Sequence, residues 1–93
     1  MKIVWDENKN RINRNKHRVS FETAQLVFDD PLHVSRQDRI EGGEQRWQTI
    51  GLVHGLILML VAHTVREEDD HETIRLISAR KADQTERRIY EQG

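Results

Sequence analysis

The chain has 93 residues, 33% of them charged and 35% apolar, one proline, no cysteine and a net charge of −1. This length suits one domain over residues 1–93, whose small core buries about 60–65% of the unfolded surface. The absence of cysteine excludes a disulfide framework, cysteine-type zinc sites and thiolate catalysis.

In chain order, Lys2–Trp5 is short, apolar and tolerant of a strand. Asp6 then caps a helix to about Lys16, with Glu7 favourable at its positive end. That helix is mostly polar, and Trp5 and Ile12 are its expected apolar anchors. Ser20 caps a second helix to about Phe28, with Phe21, Ala24, Val27 and Phe28 on one face. Asp29-Asp30-Pro31 stops it, because proline disfavours a helical residue before it. Leu32–Ser35 alternates like a half-buried strand, and Arg39–Glu44, with Gly42-Gly43, reads as a loop. Arg46–Leu52 alternates again, and Gly55 turns the chain into Leu56–Val65, whose apolar run suits a central strand covered on both faces. An acidic loop, Glu67–Asp70, leads into the strand Glu72–Ala79. Asp83 with Glu86 forms a capping-box start for a last helix to Tyr90. The class is α+β: a mainly antiparallel sheet, two N-terminal helices and one C-terminal helix, with the helices on one face.

The charge comes in blocks. Residues 1–19 carry +4, residues 20–45 carry −4, residues 46–66 carry +2, residues 67–73 carry −5 and residues 74–93 carry +2. Basic segments from both ends can form one anion-binding face, and the same blocks read equally well as solvated helix surfaces. The longest apolar run, Leu56–Ala62, falls far short of the roughly 20 residues that span a bilayer. The N-terminal segment lacks the apolar stretch and cleavage site of a signal peptide. A soluble, cytoplasmic protein is expected.

Five histidines (17, 33, 54, 63 and 71) stand at no recognised ligand spacing, so no metal site and no cofactor is expected. No nucleophile elbow, P-loop or dinucleotide-binding motif occurs. The residues of interest are Lys16-His17 at the end of the first helix, Arg46 at a strand start, and Arg75 with Arg80-Lys81 near the last strand. Metal-free RNA cleavage must deprotonate a 2′-hydroxyl, stabilise a crowded dianionic phosphorane and protonate a leaving oxygen. An imidazole has a pKa suited to proton transfer, and an arginine fork holds phosphate charge. Lys16 beside His17 favours the neutral, base-competent ring. Each residue also has a plain structural reading: a histidine at a helix end caps it, and Arg75 on a strand face pairs with an acid.

Trp5-Asp6-x-Asn8-Lys9, Asn13-x-x-Lys16-His17-x-Val19-Ser20-Phe21-Glu22-x-Ala24 and Phe28-Asp29-Asp30-Pro31 resemble the N-terminal half of the BrnT toxins. Arg46-Trp47-x-x-Ile50-Gly51, Thr64-x-Arg66, Ile77-Ser78-Ala79-Arg80-Lys81-Ala82 and Glu86-Arg87-Arg88-x-Tyr90-Glu91 are similar to the C-terminal half. The resemblance covers almost the whole chain in order and spacing. It implies a RelE-like fold and a type II toxin that cleaves RNA, inhibits translation and is neutralised by a BrnA-like ribbon-helix-helix antitoxin in a 2:2 assembly. Operator DNA is then reached only through the antitoxin.

Carried over residue by residue, His17 is the proton-transfer group and Arg46 and Arg80 are the transition-state clamps. Lys16, Arg66 and Lys81 hold the substrate. Three departures stand out. Arg18 replaces a usual glycine, so the helix end is expected to lack its left-handed cap. His63 stands where tyrosine is common. The Glu67–Glu72 loop is longer and more acidic than usual. The competing readings are a non-catalytic nucleic-acid-binding or regulatory module, and a degenerate toxin that serves as an antitoxin scaffold.

Overall fold

The computed structural model describes all 93 residues, and local capping chemistry explains where its helices begin. Asp6 accepts the Asn8 N–H at 2.8 Å and starts α1, Glu7–His17. Ser20 accepts the Thr23 N–H and starts α2, Phe21–Ala24. Asp83 and Glu86 form the expected reciprocal capping box that opens α3, Gln84–Gln92. No helix is long and apolar enough to cross a membrane.

α1 docks differently from expectation. Ile12 is 60% exposed, and the inward face is made by Asn10 and Asn13, both buried. Asn10 accepts the Phe21 N–H at 2.8 Å and donates to Glu22. Asn13 accepts the Ala79 N–H and donates to the carbonyls of Val19 and Ala79. Two amide side chains thus do what an apolar stripe does in most helices, which is possible only because every buried polar atom finds a partner. Trp5 does serve as an anchor, packed edge-on to Phe21 at 6.1 Å. At the helix end Arg18 takes φ 62° and ψ 27°, and its N–H reaches the Arg14 carbonyl. The left-handed cap expected to be lost is therefore present with arginine in place of glycine, at a cost of roughly 1 kcal/mol in backbone strain.

The second helix does not run evenly to Phe28. It tightens after Ala24 into a 3₁₀ helix, Gln25–Asp29, that lies directly on the sheet. Gly51 allows this approach, because a Cβ there would stand 2.7 Å from the Val27 carbonyl oxygen.

The sheet comprises β1 (Lys2–Val4), β2 (Val34–Glu41), β3 (Glu44–Val53), β4 (Ile57–Glu68) and β5 (His71–Lys81), in the order β1-β5-β4-β3-β2. Only β1 is parallel to its neighbour, β5. The strands are longer than their apolar patterns. The segment Arg39–Glu44, expected as a loop, is a hairpin turning on Gly42-Gly43 alone, both at positive φ. The acidic segment Glu67–Glu72 is also a continuous hairpin, with Glu67 opposite Glu72 and the turn at Asp69-Asp70. Aspartates tolerate the left-handed region better than most residues, so charge does not prevent a tight turn. β2 begins two residues later than expected and is an edge strand studded with charge, which protects it from pairing with other chains.

Strand alternation divides the core in two. Val53, Met59, Val61, Ile74, Leu76 and Ala79 pack under α1 and α2 with Val19, Phe21, Ala24 and Val27. Ile50, Leu58 and Leu60 point to the opposite face, where Ile89 and Tyr90 of α3 cover them. The helices therefore do not share one face. Tyr90 donates its hydroxyl to Asp30, which also accepts the Leu52 N–H, both at 2.7 Å. Burial works against the Asp30 charge, but these hydrogen bonds outweigh it and hold its pKa below the ordinary value.

Candidate functional site

α3 covers only one end of its face of the sheet, and the remainder is open and rich in arginine. Arg46, Thr64 and Arg75 lie side by side across β3, β4 and β5. Arg66 stands two residues from Thr64 on the same face, and Arg36 reaches in from β2 to Gln48 at 3.0 Å. Arg75 and Arg80 are five residues apart, so strict alternation would put them on opposite faces. A bulge corrects this: Ala62 pairs with Ser78 while His63 pairs with Leu76, which leaves Ile77 as the extra residue. Ser78 and Arg80 thereby join Arg75, while Leu76 stays with the core. Bulges next to functional sites commonly re-aim side chains in this way.

The arginines differ in how they are held. Glu44 lies between Arg66 at 3.4 Å and Arg75 at 3.6 Å, and Arg66 also reaches Glu68. Together with Val4, Thr64 and Thr73 they line a cavity of about 170 Å³. Arg80 gives both terminal nitrogens to Glu86, at 2.8 and 2.7 Å. That contact lowers the pKa of Glu86 and raises that of Arg80. Arg46 joins none of these ion pairs, and its Nε is buried without any hydrogen-bond partner. A half-buried guanidinium that no carboxylate pairs is a cation left free for an anion, which its exposed part can meet.

The other sequence candidates lie elsewhere. Lys81 is paired in register with Met59 and so belongs to the helical side of the sheet. There it lines a groove with Arg14 and Arg18 from the end of α1. Lys16 and His17 form the last turn of α1 at this corner, with His17 half-buried. The structure therefore brings Arg46, Arg66 and Arg80 onto one face and leaves Lys16, His17 and Lys81 on the other side of β5. Arg75, singled out in the sequence with Arg80-Lys81 but not carried over as a site residue, belongs with Arg46. Glu86 was read only as a cap, and its second task of gripping Arg80 had no sequence signal.

His63 points into the helical side, 2% exposed, with Nε2 2.7 Å from the Thr49 hydroxyl and Phe28 edge-on at 5.2 Å. Burial pushes its pKa down to about 4, so the ring is neutral at pH 7. It is a core residue, on the far side of the sheet from Arg46. No group of three or more histidines, aspartates or glutamates is placed to hold a metal ion.

The family described as "Ribonuclease toxin, BrnT, of type II toxin-antitoxin system" matches residues 5–86. The crystal structure of the Brucella abortus ribonuclease toxin BrnT is similar, with 32% sequence identity and a TM-score of 0.64. The likeness covers 90% of this chain and 99% of that one. No curated relative matches the chain. A five-stranded, mostly antiparallel sheet with an arginine-rich open face, and a family match over nearly the whole length, lead to one conclusion. The chain belongs to the BrnT family of ribonuclease toxins of type II toxin–antitoxin systems.

Proposed function

We propose that this toxin cleaves RNA without a metal ion on the open face of its sheet, stops translation by doing so, and is silenced by a BrnA-like ribbon-helix-helix antitoxin. One observation carries the placement of the site: Arg46 is half-buried, unpaired and has an orphaned Nε. A phosphodiester seated over Arg46 and Thr64 meets that guanidinium, with Arg66 and Arg75 beside it. As the 2′-oxygen attacks phosphorus, a second negative charge develops on the non-bridging oxygens, and the forks hold it most strongly at that point. Arg80, its fork committed to Glu86, acts as a positioning residue that ties the first turn of α3 to the end of β5. Its expected clamp role requires that pair to open.

His17 and Lys16 stand across the sheet from Arg46, out of hydrogen-bond reach of a 2′-hydroxyl seated there, so the proton-transfer role carried over for His17 does not combine with this site. Single-turnover cleavage in excess EDTA tests the reading. Wild-type activity is expected to survive the chelator. Arg46→Ala is expected to slow cleavage by about 10²–10³ with the fold intact. Cleavage lost in EDTA and restored by a divalent ion, or full activity in Arg46→Ala, refutes it.

A further inference from the structure

The groove that contains Lys81 is separate from the arginine face and differs from it in character. It lies where the end of α1 and the start of α2 meet β4, is about 610 Å³ in volume, and is lined by Arg14, Arg18, Ile57, Met59 and Lys81 among others. Its three cations carry no partner in any ion pair of the protein. No acidic and no aromatic side chain lines it. Its floor is aliphatic: Met59 and Val19 are buried beneath it, and Ile57 is 40% exposed at its edge. Leu56, the next residue along the hairpin, is 82% exposed, the highest exposure of any large apolar side chain here. Arg18 is held at positive φ, so the chain accepts backbone strain at a position where it places a cation on the rim.

These features select the occupant. The arginine face is polar between its cations, whereas this groove has an aliphatic floor of Val19, Ile57 and Met59 that a polyanionic RNA backbone leaves unused. An aliphatic floor under a cationic rim complements a peptide that is apolar on one side and acidic on the other. The exposed Leu56–Ile57 tip extends the apolar strip beyond the groove. We infer that this groove docks an acidic amphipathic segment of the antitoxin, with apolar side chains on Ile57 and Met59 and carboxylates facing Arg14, Arg18 and Lys81. A segment seated there lies beside Lys16 and His17, on the opposite side of the sheet from Arg46. The inference rests on the antitoxin reading for its partner but not on the location of the cleavage site.

Hydrogen exchange on the full-length toxin, free and bound to the antitoxin encoded with it, tests the inference. Slowed exchange is expected at residues 14–23 and 57–59. Arg14→Glu and Ile57→Glu, each checked by thermal melting, should weaken the complex by about 10–100-fold while RNA cleavage by the free toxin stays unchanged. Protection confined to β3, β4 and β5 around Arg46, Thr64 and Arg75, or wild-type affinity in both folded variants, overturns the inference. So does protection of the groove by a 2′-deoxy, non-cleavable oligonucleotide. If instead Arg46→Ala cleaves normally while the groove is protected as expected, the cleavage assignment fails and the docking surface stands.

Discussion

Replacing Arg80 with alanine distinguishes a structural clamp from a substrate clamp. The variant leaves the Glu86 carboxylate, whose side chain is 8% exposed, with only the Asp83 N–H as a partner. Removing one member of a buried ion pair costs about 3–5 kcal/mol, because the remaining charge stays desolvated. Arg80 is itself 39% exposed, so water reaches the pair and screens it, and the expected cost falls to about 2–3 kcal/mol. In a domain of this size each kcal/mol moves Tm by about 4–8 °C, so a drop of roughly 8–24 °C is expected at pH 7. In a Glu86→Gln background the same Arg80→Ala change should cost about 1 kcal/mol or less, since a neutral amide can be left there more cheaply. The pair is also sensitive to acid. Because the Glu86 pKa is lowered in the folded state, its contribution is complete above the ordinary glutamate value and is lost as pH falls through the lowered one. Thermal melts of the four proteins of this cycle at pH 7 are the assay. An Arg80→Ala protein that melts within about 2 °C of wild type yet cleaves RNA slowly would refute the argument and restore Arg80 to the substrate site.

Three further outcomes follow from the geometry. His63 folds as a neutral ring with a pKa near 4, so stability should fall as pH drops from about 6.5 towards 4, by up to about 3 kcal/mol, and His63→Gln should flatten that part of the pH profile in denaturant melts. Asn13→Leu should cost about 3 kcal/mol or more, because it strands the Ala79 N–H and the carbonyls of Ala79 and Val19; urea unfolding measures this directly, and a near-neutral result would show that the helix docks by other means. Arg18→Gly should stabilise the chain by about 1 kcal/mol by relieving the left-handed strain, and a destabilised protein would show that the arginine side chain contributes packing that outweighs it.

The parts of the fold that were legible in the sequence are those set by neighbouring residues. Asp6, Ser20 and the Asp83–Glu86 pair cap helices at the expected places because a cap joins groups two or three residues apart. Strand lengths were underestimated, since Glu67 pairs with Glu72 and Glu68 with His71 across a hairpin whose charge suggested a loop. α1 was misjudged because asparagine has no apolar signature, and its docking depends on Ala79, sixty-six residues away. The face taken by α3 was illegible for the same reason. It depends on Ile50, Leu58 and Leu60 turning away from α1, which strand register decides and local pattern does not.

The candidate site was legible as a set of residue types and illegible as an arrangement. The resemblance supplied Arg46, Arg66 and Arg80, and register then placed all three on one face, but only because Ile77 is extra. Were Ile77 paired in register with Ala62 instead of bulging out, Arg80 would stand opposite Met59 on the core side and leave Arg75 alone beside Thr64. The hydrophobic pattern around it, Ile74, Leu76 and Ala79, has the same fault line: the first two are two apart, and the third follows after three. That break in period is the only trace of the bulge in the sequence. It explains how one strand can bury Leu76 and Ala79 on one side while presenting both Arg75 and Arg80 on the other. The charged face and the packed core are thus set by the same irregularity, so a substitution that regularises β5 is bound to disturb both.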